Sequence, residues 1–278
     1  MTKKTLNIKG KILDLSTPKV MGILNLNNDS FYDGGKFVEQ DAAINQVSNL
    51  IEAGVDILDI GPSSSKPGQS ISDQETELNK VLPLLEIIKK QFPELIISID
   101  TYHAKVAAQC IDNGAHIIND ISAGNIDDKM FEVIADKGVP YIMMHMQGTP
   151  ENMQENPAYD HLINDIIDYF LEKVSQLREL GVKDIVVDPG FGFGKTMEHN
   201  YQILKHLTSF SLLELPLLAG LSRKSMIYKY LETDANQSLN GTTALNMLAL
   251  QNGAQILRVH DVKAAKETIK LYNYYNSI

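Results

Sequence analysis

The chain is short of several things, and each shortage removes a class of protein. It has one cysteine, Cys110, so no disulfide can form within it and a secreted disulfide scaffold is excluded. It has 25 basic residues against 35 acidic ones, a formal charge of −10. A duplex nucleic-acid binder or a polybasic membrane binder shows the opposite balance. Net charge still leaves room for one local basic pocket and a small anionic substrate. No apolar run is long enough to span a bilayer, and the lysines near the N-terminus lead into no signal-type apolar stretch. The expectation is a cytoplasmic protein with neither nucleic-acid nor membrane partners. No Pro/Gly/Ser linker marks a domain boundary, and neither a His/Cys cluster nor an H-E-x-x-H motif announces a metal. The 44% hydrophobic and 22% charged content excludes wholesale disorder.

What is present is a repeating unit. An amphipathic helical stretch ends at a glycine, and a continuously apolar, β-rich run follows. This happens at Gly54, Gly114, Gly138, Gly181 and Gly253. Glycine suits the residue just past a helix because it enters the left-handed region without a Cβ clash. Runs that are apolar throughout, rather than alternating, are those of parallel strands buried on both faces. Eight strands are predicted: 19–25, 56–60, 95–100, 115–120, 140–144, 184–188, 216–220 and 255–259. Helices separate them, among them 72–91, 162–180 and 261–274. The first opens on a Ser72-x-x-Glu75 capping box, with Leu78, Val81, Leu82, Leu85 and Ile88 as its apolar stripe. Eight strand–helix units in about 260 residues is the size and order of a (β/α)8 TIM barrel, here a single domain over 1–278. A doubly wound open sheet is the alternative. Residues 6–15, around Gly10, read as a hairpin capping the bottom of the barrel.

The strand ends carry the chemistry. They hold Asn25, Asp59, Asp100, Asn119-Asp120, His145, Asp188, Ser222-Arg223-Lys224, and Arg258 with His260. In a parallel barrel these ends meet at one mouth, where active sites form. Each polar residue taken singly could be a helix N-cap or a turn former. Capping does not explain asparagine and aspartate inside an apolar run such as Ile118-Asn119-Asp120-Ile121. Asp100, Asn119 and Asp188 supply acceptors and one amide donor, which suits the donor edge of a flat heterocycle. Arg258, His260 and Asn25 suit a phosphate group, with Asn25 a neutral oxygen ligand for Mg2+.

Two features are decoys. The stretch Pro189-Gly-Phe-Gly-Phe-Gly-Lys195-Thr196 resembles a nucleotide loop, but Pro189 stands where a Walker A glycine belongs, and G-x-G-x-x-G does not fit. It is a glycine-rich, aromatic-lined loop after strand six. Met143, Met144 and Met146 read as barrel lining and pocket wall. Lys224 alone would also suit a Schiff-base enzyme, a reading weakened by its place beside Arg223.

In order along the chain stand Met21-Gly-Ile-Leu-Asn25, Asp29-Ser-Phe31, Asp33-Gly-Gly35, Asp59-Ile-Gly61, Lys66-Pro-Gly68, Ile99-Asp-Thr-Tyr102, Ile118-Asn-Asp120, Met144-His-Met-Gln-Gly148, Asp188 to Lys195, Gly220-Leu-Ser-Arg-Lys224 and Arg258-Val-His260. With these motifs the sequence resembles the dihydropteroate synthase family over nearly its whole length. The resemblance implies a (β/α)8 barrel that joins 6-hydroxymethyl-7,8-dihydropterin diphosphate to 4-aminobenzoate and releases pyrophosphate, with Mg2+ on Asn25. It implies that Asp100, Asn119, Asp188, Lys224, Arg258 and Met144 hold the pterin, and that Asn25, Arg258, His260, Ser65 and Lys66 hold the diphosphate. Phe193, Lys195, Ser222, Arg223 and Pro67 fall near the aminobenzoate. Asp100, Lys224, Arg258 and Asp29 are the expected catalytic set, Asp29 lying in the first of two closing loops. A homodimer and sulfonamide sensitivity are implied too.

The departures from the family pattern sit in those loops. Asn27-Asn28 replaces Thr-Pro before Asp29, and Pro62-Ser-Ser-Ser-Lys66 replaces Gly-Glu-Ser-Thr-Arg. Lysine for arginine keeps the charge and loses the planar fork. These changes bear on the second substrate, not on the pterin side. The competing readings are a pterin-dependent methyltransferase and a pterin-binding barrel without catalysis.

Overall fold

The eight apolar runs fold as parallel strands, and the glycines that precede five of them all stand in the left-handed region, from φ +61° at Gly138 to +105° at Gly114. The computed structural model describes residues 2–26, 36–62 and 73–278. A two-stranded hairpin comes first, β1 (Thr5–Ile8) and β2 (Lys11–Asp14). Eight parallel strands follow: β3 (Lys19–Leu26), β4 (Ile57–Pro62), β5 (Ile96–Asp100), β6 (Ile117–Asp120), β7 (Tyr141–Met144), β8 (Ile185–Asp188), β9 (Leu218–Ala219) and β10 (Ile256–Val259). Their order is β8-β7-β6-β5-β4-β3-β10-β9. The ring closes between β8 and β9 through a parallel bridge, Val187 to Leu217, where Val187 N–H donates to the Pro216 carbonyl at 3.0 Å. Closure excludes the doubly wound sheet.

Helices α1 (Lys36–Glu52), α2 (Gln74–Gln91), α3 (Ala104–Asp112), α4 (Met130–Lys137), α5 (Leu162–Glu179), α6 (Met197–Lys205), α7 (Ser225–Tyr228), α8 (Leu239–Gln251) and α9 (Val262–Tyr275) stand between and after the strands. A single apolar cluster joins the outward faces of the strands to these helices, with Leu58, Ile97, Ile99, Ile118, Val187 and Leu257 meeting Leu85, Val106, Ile134, Phe170 and Ile269. A strand buried on both faces loses its alternation for this reason.

The hairpin does what its position predicts. Leu6, Ile8 and Leu15 pack with Met21, Ile57, Ile117, Ile142, Val186, Leu218 and Ile256, the inward residues at the start of seven strands. The bottom of the barrel is therefore sealed by apolar side chains, which leaves the other end for chemistry.

The start of α2 corrects one expectation. The cap is Asp73, whose carboxylate accepts from Thr76 N–H at 3.0 Å and from the Thr76 hydroxyl at 3.1 Å. The helix thus begins one residue later than a box on Ser72 requires, and Ser72 itself lies outside the described residues. An acceptor-only carboxylate satisfies two donors at once, more than a serine hydroxyl offers. The buried stripe is Leu78, Val81, Leu84, Leu85 and Ile88, with Leu84 in place of Leu82.

Candidate active site

Inward side chains recur every second residue on a strand, so the barrel interior is built in levels. Above the apolar floor, two residues further along each strand, stand Ile23, Asp59, Ser98, Asn119, Met144, Asp188, Gly220 and Arg258. The register supports this: Asp59 lies opposite Ile23 and Ser98, and Met144 opposite Asp188. The next level holds Asn25, Gly61, Asp100, Ile121, Ser222 and His260. One alternation thus turns an oily floor into a polar mouth within two residues of strand.

A cavity of about 790 Å³ opens on these levels. Asn25, Asp100, Asn119, Met144, Asp188, Phe193, Ser222, Arg223, Lys224, Arg258 and His260 all line it. The structure therefore brings together eleven of the residues picked out from the sequence. Asp29, Ser65, Lys66 and Pro67 lie outside the described residues.

The centre of the mouth is one ion-pair network. Arg258 Nε donates to Asp59 Oδ2 at 2.7 Å, and Arg258 Nη2 donates to Asp100 Oδ2 at 2.7 Å. Asn119 Nδ2 donates to the same Asp59 oxygen at 3.1 Å. Burial works against the Arg258 charge, but Asp59 and Asp100 outweigh it and hold the guanidinium above its ordinary range. Burial raises the Asp100 carboxyl, Arg258 counteracts it, and Asp59 adds to the rise. Gly61 makes room for this arrangement: a Cβ there would stand 2.8 Å from Asp100 Cβ.

Beside the network, Asp188 is raised by burial and opposed first by the bond from Gly190 N–H, which its Oδ1 accepts at 2.8 Å. Gly190 is in the left-handed region at φ +72°, and a Cβ there would lie 2.0 Å from the His145 carbonyl. Only glycine allows the chain to turn back there and donate to Asp188. Lys224 Nζ sits 4.1 Å from the centroid of Phe193, a cation–π contact. Burial brings its ammonium down to about 8, with Asp188 resisting and Arg258 assisting.

After β9 and β10, Ser222 Oγ lies 3.0 Å from His260 Nδ1 and accepts the His260 backbone N–H at 3.2 Å. Burial, then Arg223 and Arg258, press the imidazole down to about 4, so it is neutral at pH 7. A Ser222 hydroxyl that donates to Nδ1 would leave the ring hydrogen on Nε2. Arg223 is paired bidentately with Asp261 at 3.1 and 2.8 Å.

Lys195 and His145 stand apart from the cavity. Lys195 is buried behind the glycine-rich loop, donating to the carbonyls of His145 at 3.2 Å and Phe193 at 2.8 Å, with His145 Nδ1 at 3.0 Å. Burial lowers it to about 7. The ammonium fixes the loop that carries Phe193 rather than facing the mouth. The loop runs into α6 through a cap: Thr196 Oγ1 accepts His199 N–H, and His199 Nδ1 accepts Thr196 N–H. Two of the amides a phosphate loop would offer are thereby occupied.

Sequence reasoning gave no role to Gln154, Ser225, Tyr228 and Lys229, which also line the cavity, or to Asp59 beneath it. The first four belong to loops and a short helix with no periodic signal. Asp59 did carry one, since it sits two residues after Ile57 in the same interior column as Asn119 and Arg258.

With this geometry in hand, similarity to known proteins is informative. The family described as pterin binding enzyme matches residues 21–260. The chain is 42% identical over 265 residues to the dihydropteroate synthase of Escherichia coli strain K12, covering 95% of this chain and 93% of that protein. The Haemophilus influenzae dihydropteroate synthase is 39% identical over 264 residues, covering 94% and 95%. Among solved structures, a Yersinia pestis dihydropteroate synthase with a sulfonamide drug superposes with a TM-score of 0.92 at 40% identity, over 99% of this chain and 100% of that one. The Xanthomonas albilineans enzyme with 4-aminobenzoic acid gives 0.91 at 36%, over all of both chains.

Proposed function

The chain belongs to the dihydropteroate synthase family, and on that premise we propose how its residues divide the work. It is a transferase of folate biosynthesis. It joins 6-hydroxymethyl-7,8-dihydropterin diphosphate to 4-aminobenzoate, giving 7,8-dihydropteroate and pyrophosphate. The pterin methylene loses its C–O bond, and that electron pair leaves on the diphosphate. The aniline nitrogen forms the new C–N bond and then loses one proton.

The reading of the site rests on one observation: Asp100, Asn119, Asp188, Lys224 and Arg258, carried by five different strands or their trailing loops, line one cavity. Asp188 accepts from the ring N–H and amino group, Asn119 and Asp100 take the rest of that edge, and Lys224 donates to the ring oxygen. Met144 forms the wall beside Asp188. Positive charge develops at the methylene as the C–O bond opens, and Asp100 stands where it would stabilise it. The remaining hydrogens of Arg258 and the Nε2–H of neutral His260 receive the leaving diphosphate. The aniline is a weak nucleophile that needs placement more than a base. Phe193, Ser222 and Arg223 supply the walls of that second subsite.

Mg2+ fits this donor set as a companion of the substrate. Asn25 is exposed at the rim and offers one neutral oxygen, and no group of three His, Cys, Asp or Glu side chains that could hold a metal occurs among the described residues. Magnesium commonly keeps several waters and shares substrate phosphates with one or two protein oxygens. Asn25 would hold it against the diphosphate, where it would neutralise leaving-group charge.

No helix among the described residues is long and apolar enough to cross a membrane. We place the enzyme in the cytoplasm, where a lone buried cysteine stays reduced. A homodimer through the late helices is supported by Leu239, Leu248, Leu271 and Tyr274, all exposed on α8 and α9. Large apolar side chains clustered at a surface mark association sites.

The test is a turnover assay with the pterin diphosphate, labelled 4-aminobenzoate and Mg2+. Equal yields of labelled dihydropteroate and pyrophosphate are expected. Pterin binding with no pyrophosphate release would instead make the chain a non-catalytic pterin-binding barrel.

A further inference from the structure

We propose that Asp59 is a positioning residue that presets the hydrogen-bonding faces which Asn119 and Arg258 turn toward the pterin. The proposal rests on the family reading above and concerns a side chain that does not itself line the cavity.

Asp59 is completely buried, one level below the mouth. Packing alone does not account for a carboxylate there. The level beneath is apolar all round, and burying a carboxylate is costly unless its oxygens are well partnered. Only one of its oxygens is. Oδ2 receives both Arg258 Nε and Asn119 Nδ2, whereas Oδ1 has no hydrogen-bond partner among the described residues. A carboxylate retained under those conditions serves the two groups it holds.

What it does to each follows from donor chemistry. An asparagine amide can rotate and exchange its oxygen for its nitrogen with little change of shape. An ionised carboxylate only accepts, so Asn119 must point its NH2 at Asp59. Its carbonyl and second amide hydrogen then face the cavity in a fixed order. Arg258 presents five N–H donors. Asp59 takes Nε and Asp100 takes one hydrogen of Nη2, so both carboxylates engage the same edge of the guanidinium. Nη1 and the second Nη2 hydrogen are left for the ligand. Asp59 therefore decides which atoms of two neighbours meet the substrate. It also contributes, after burial, to the raised Asp100 carboxyl.

A ring order fixed in this way selects a ligand edge. A pterin offers an amino group at ring position 2, and its 2-oxo counterpart offers an acceptor there. With the Asn119 carbonyl locked toward the ligand, the amino form is favoured. Asp59→Ala removes the acceptor, so Asn119 is free to rotate and satisfy either form, whereas an asparagine there, its oxygen held by Arg258 Nε, would still accept from Asn119.

The experiment is isothermal calorimetry on the full chain with a 6-hydroxymethylpterin and its 2-oxo analogue, together with steady-state kinetics and melting curves. D59A should lower pterin affinity about tenfold, the size of one charge-assisted hydrogen bond. It should shrink the preference for the amino form by a similar factor, raise the KM for the pterin diphosphate, and leave the KM for 4-aminobenzoate unchanged. In an N119A background, D59A should have no further effect on that preference, because the residue through which it acts is gone. Wild-type affinity and wild-type preference in a folded D59A protein overturn the proposal. If D59A does not fold, Asp59→Ser, whose hydroxyl can donate or accept, carries the same expectation and the same overturning result. Absence of pterin binding by the unaltered chain is a different outcome, one that removes the family reading as well.

Discussion

Replacing Asp188 by asparagine tests the pterin side of the site with the least disturbance of shape. In the native protein Asp188 Oδ1 is occupied by the Gly190 N–H at 2.8 Å, and Oδ2 is the oxygen left for a ligand in the cavity that Asp188 lines. A carboxylate satisfies Gly190 on one side and two ligand donors on the other. An amide cannot. If its oxygen stays on Gly190, its NH2 confronts the ring N–H and amino group, and donor meets donor. If it turns round, the ligand keeps one acceptor, while the buried Gly190 N–H faces a donor. The first arrangement loses a hydrogen bond to a charged acceptor, about 1.5–3 kcal/mol, and the second leaves a buried amide unsatisfied at about 1–3 kcal/mol. Either way pterin affinity should fall by roughly ten- to a hundredfold. Stability should move the other way or not at all, because burial already disfavours the Asp188 charge. The assay is calorimetric titration of D188N with the pterin, paired with its melting temperature. Unchanged affinity in a folded D188N protein would refute the role given to this carboxylate.

Two further outcomes follow from the same geometry. Burial holds Lys224 down to about 8, and the ammonium donates to the ring oxygen far more strongly than the neutral amine does. Pterin affinity should therefore be level below that pH and weaken as pH rises through it, about tenfold per unit at most by linkage; K224M should be weak throughout with no such inflection, and a Kd that stays level through the alkaline range contradicts the assignment. Gly61→Ala places a methyl 2.8 Å from Asp100 Cβ and 3.1 Å from its Oδ2. Overpacking of this kind costs about 1–3 kcal/mol, so melting should drop by several degrees and kcat/KM should fall as Asp100 leaves Arg258; wild-type stability and rate in G61A would mean the contact relaxes freely.

Much of the barrel could be read from the chain because its signals are local. A glycine past a helix and an apolar run after it are features of short windows, and their repetition fixes the order of units. The mouth was legible for a different reason. Asn119 and Asp188 break runs that are otherwise apolar, and a polar residue in such a run needs a use. The start of α2 was misplaced by one residue because Ser72 and Asp73 are both competent caps. The choice between them is set by the geometry of the turn, where Asp73 serves two donors of Thr76. Lys195 shows the opposite limit. The family resemblance put it near the aminobenzoate, while the structure turns its ammonium inward to the His145 and Phe193 carbonyls. No sequence rule says which way a lysine on a glycine-rich loop points.

Asp59 was visible as a strand-end aspartate, yet its role was not, and the reason is geometric. It contacts Arg258 across 199 positions of sequence and Asn119 across 60. The contact with Arg258 exists only once β10 has paired with β3, which alone then separates it from β4. Alternation could still have ranked it. Counting two residues on from each inward floor residue, Ile57, Ile117, Val186 and Ile256, reaches Asp59, Asn119, Asp188 and Arg258. The same step places three acceptor-bearing side chains and one cation at one height of the barrel. At that height a guanidinium enclosed by carboxylates is the arrangement that lets all of them be buried together, since an unpaired charge there would be strongly disfavoured. The residues that touch the pterin and the residue that holds them in place are thus products of one periodicity, and the substrate-facing part is the upper surface of an ion-pair cluster whose base lies in the core.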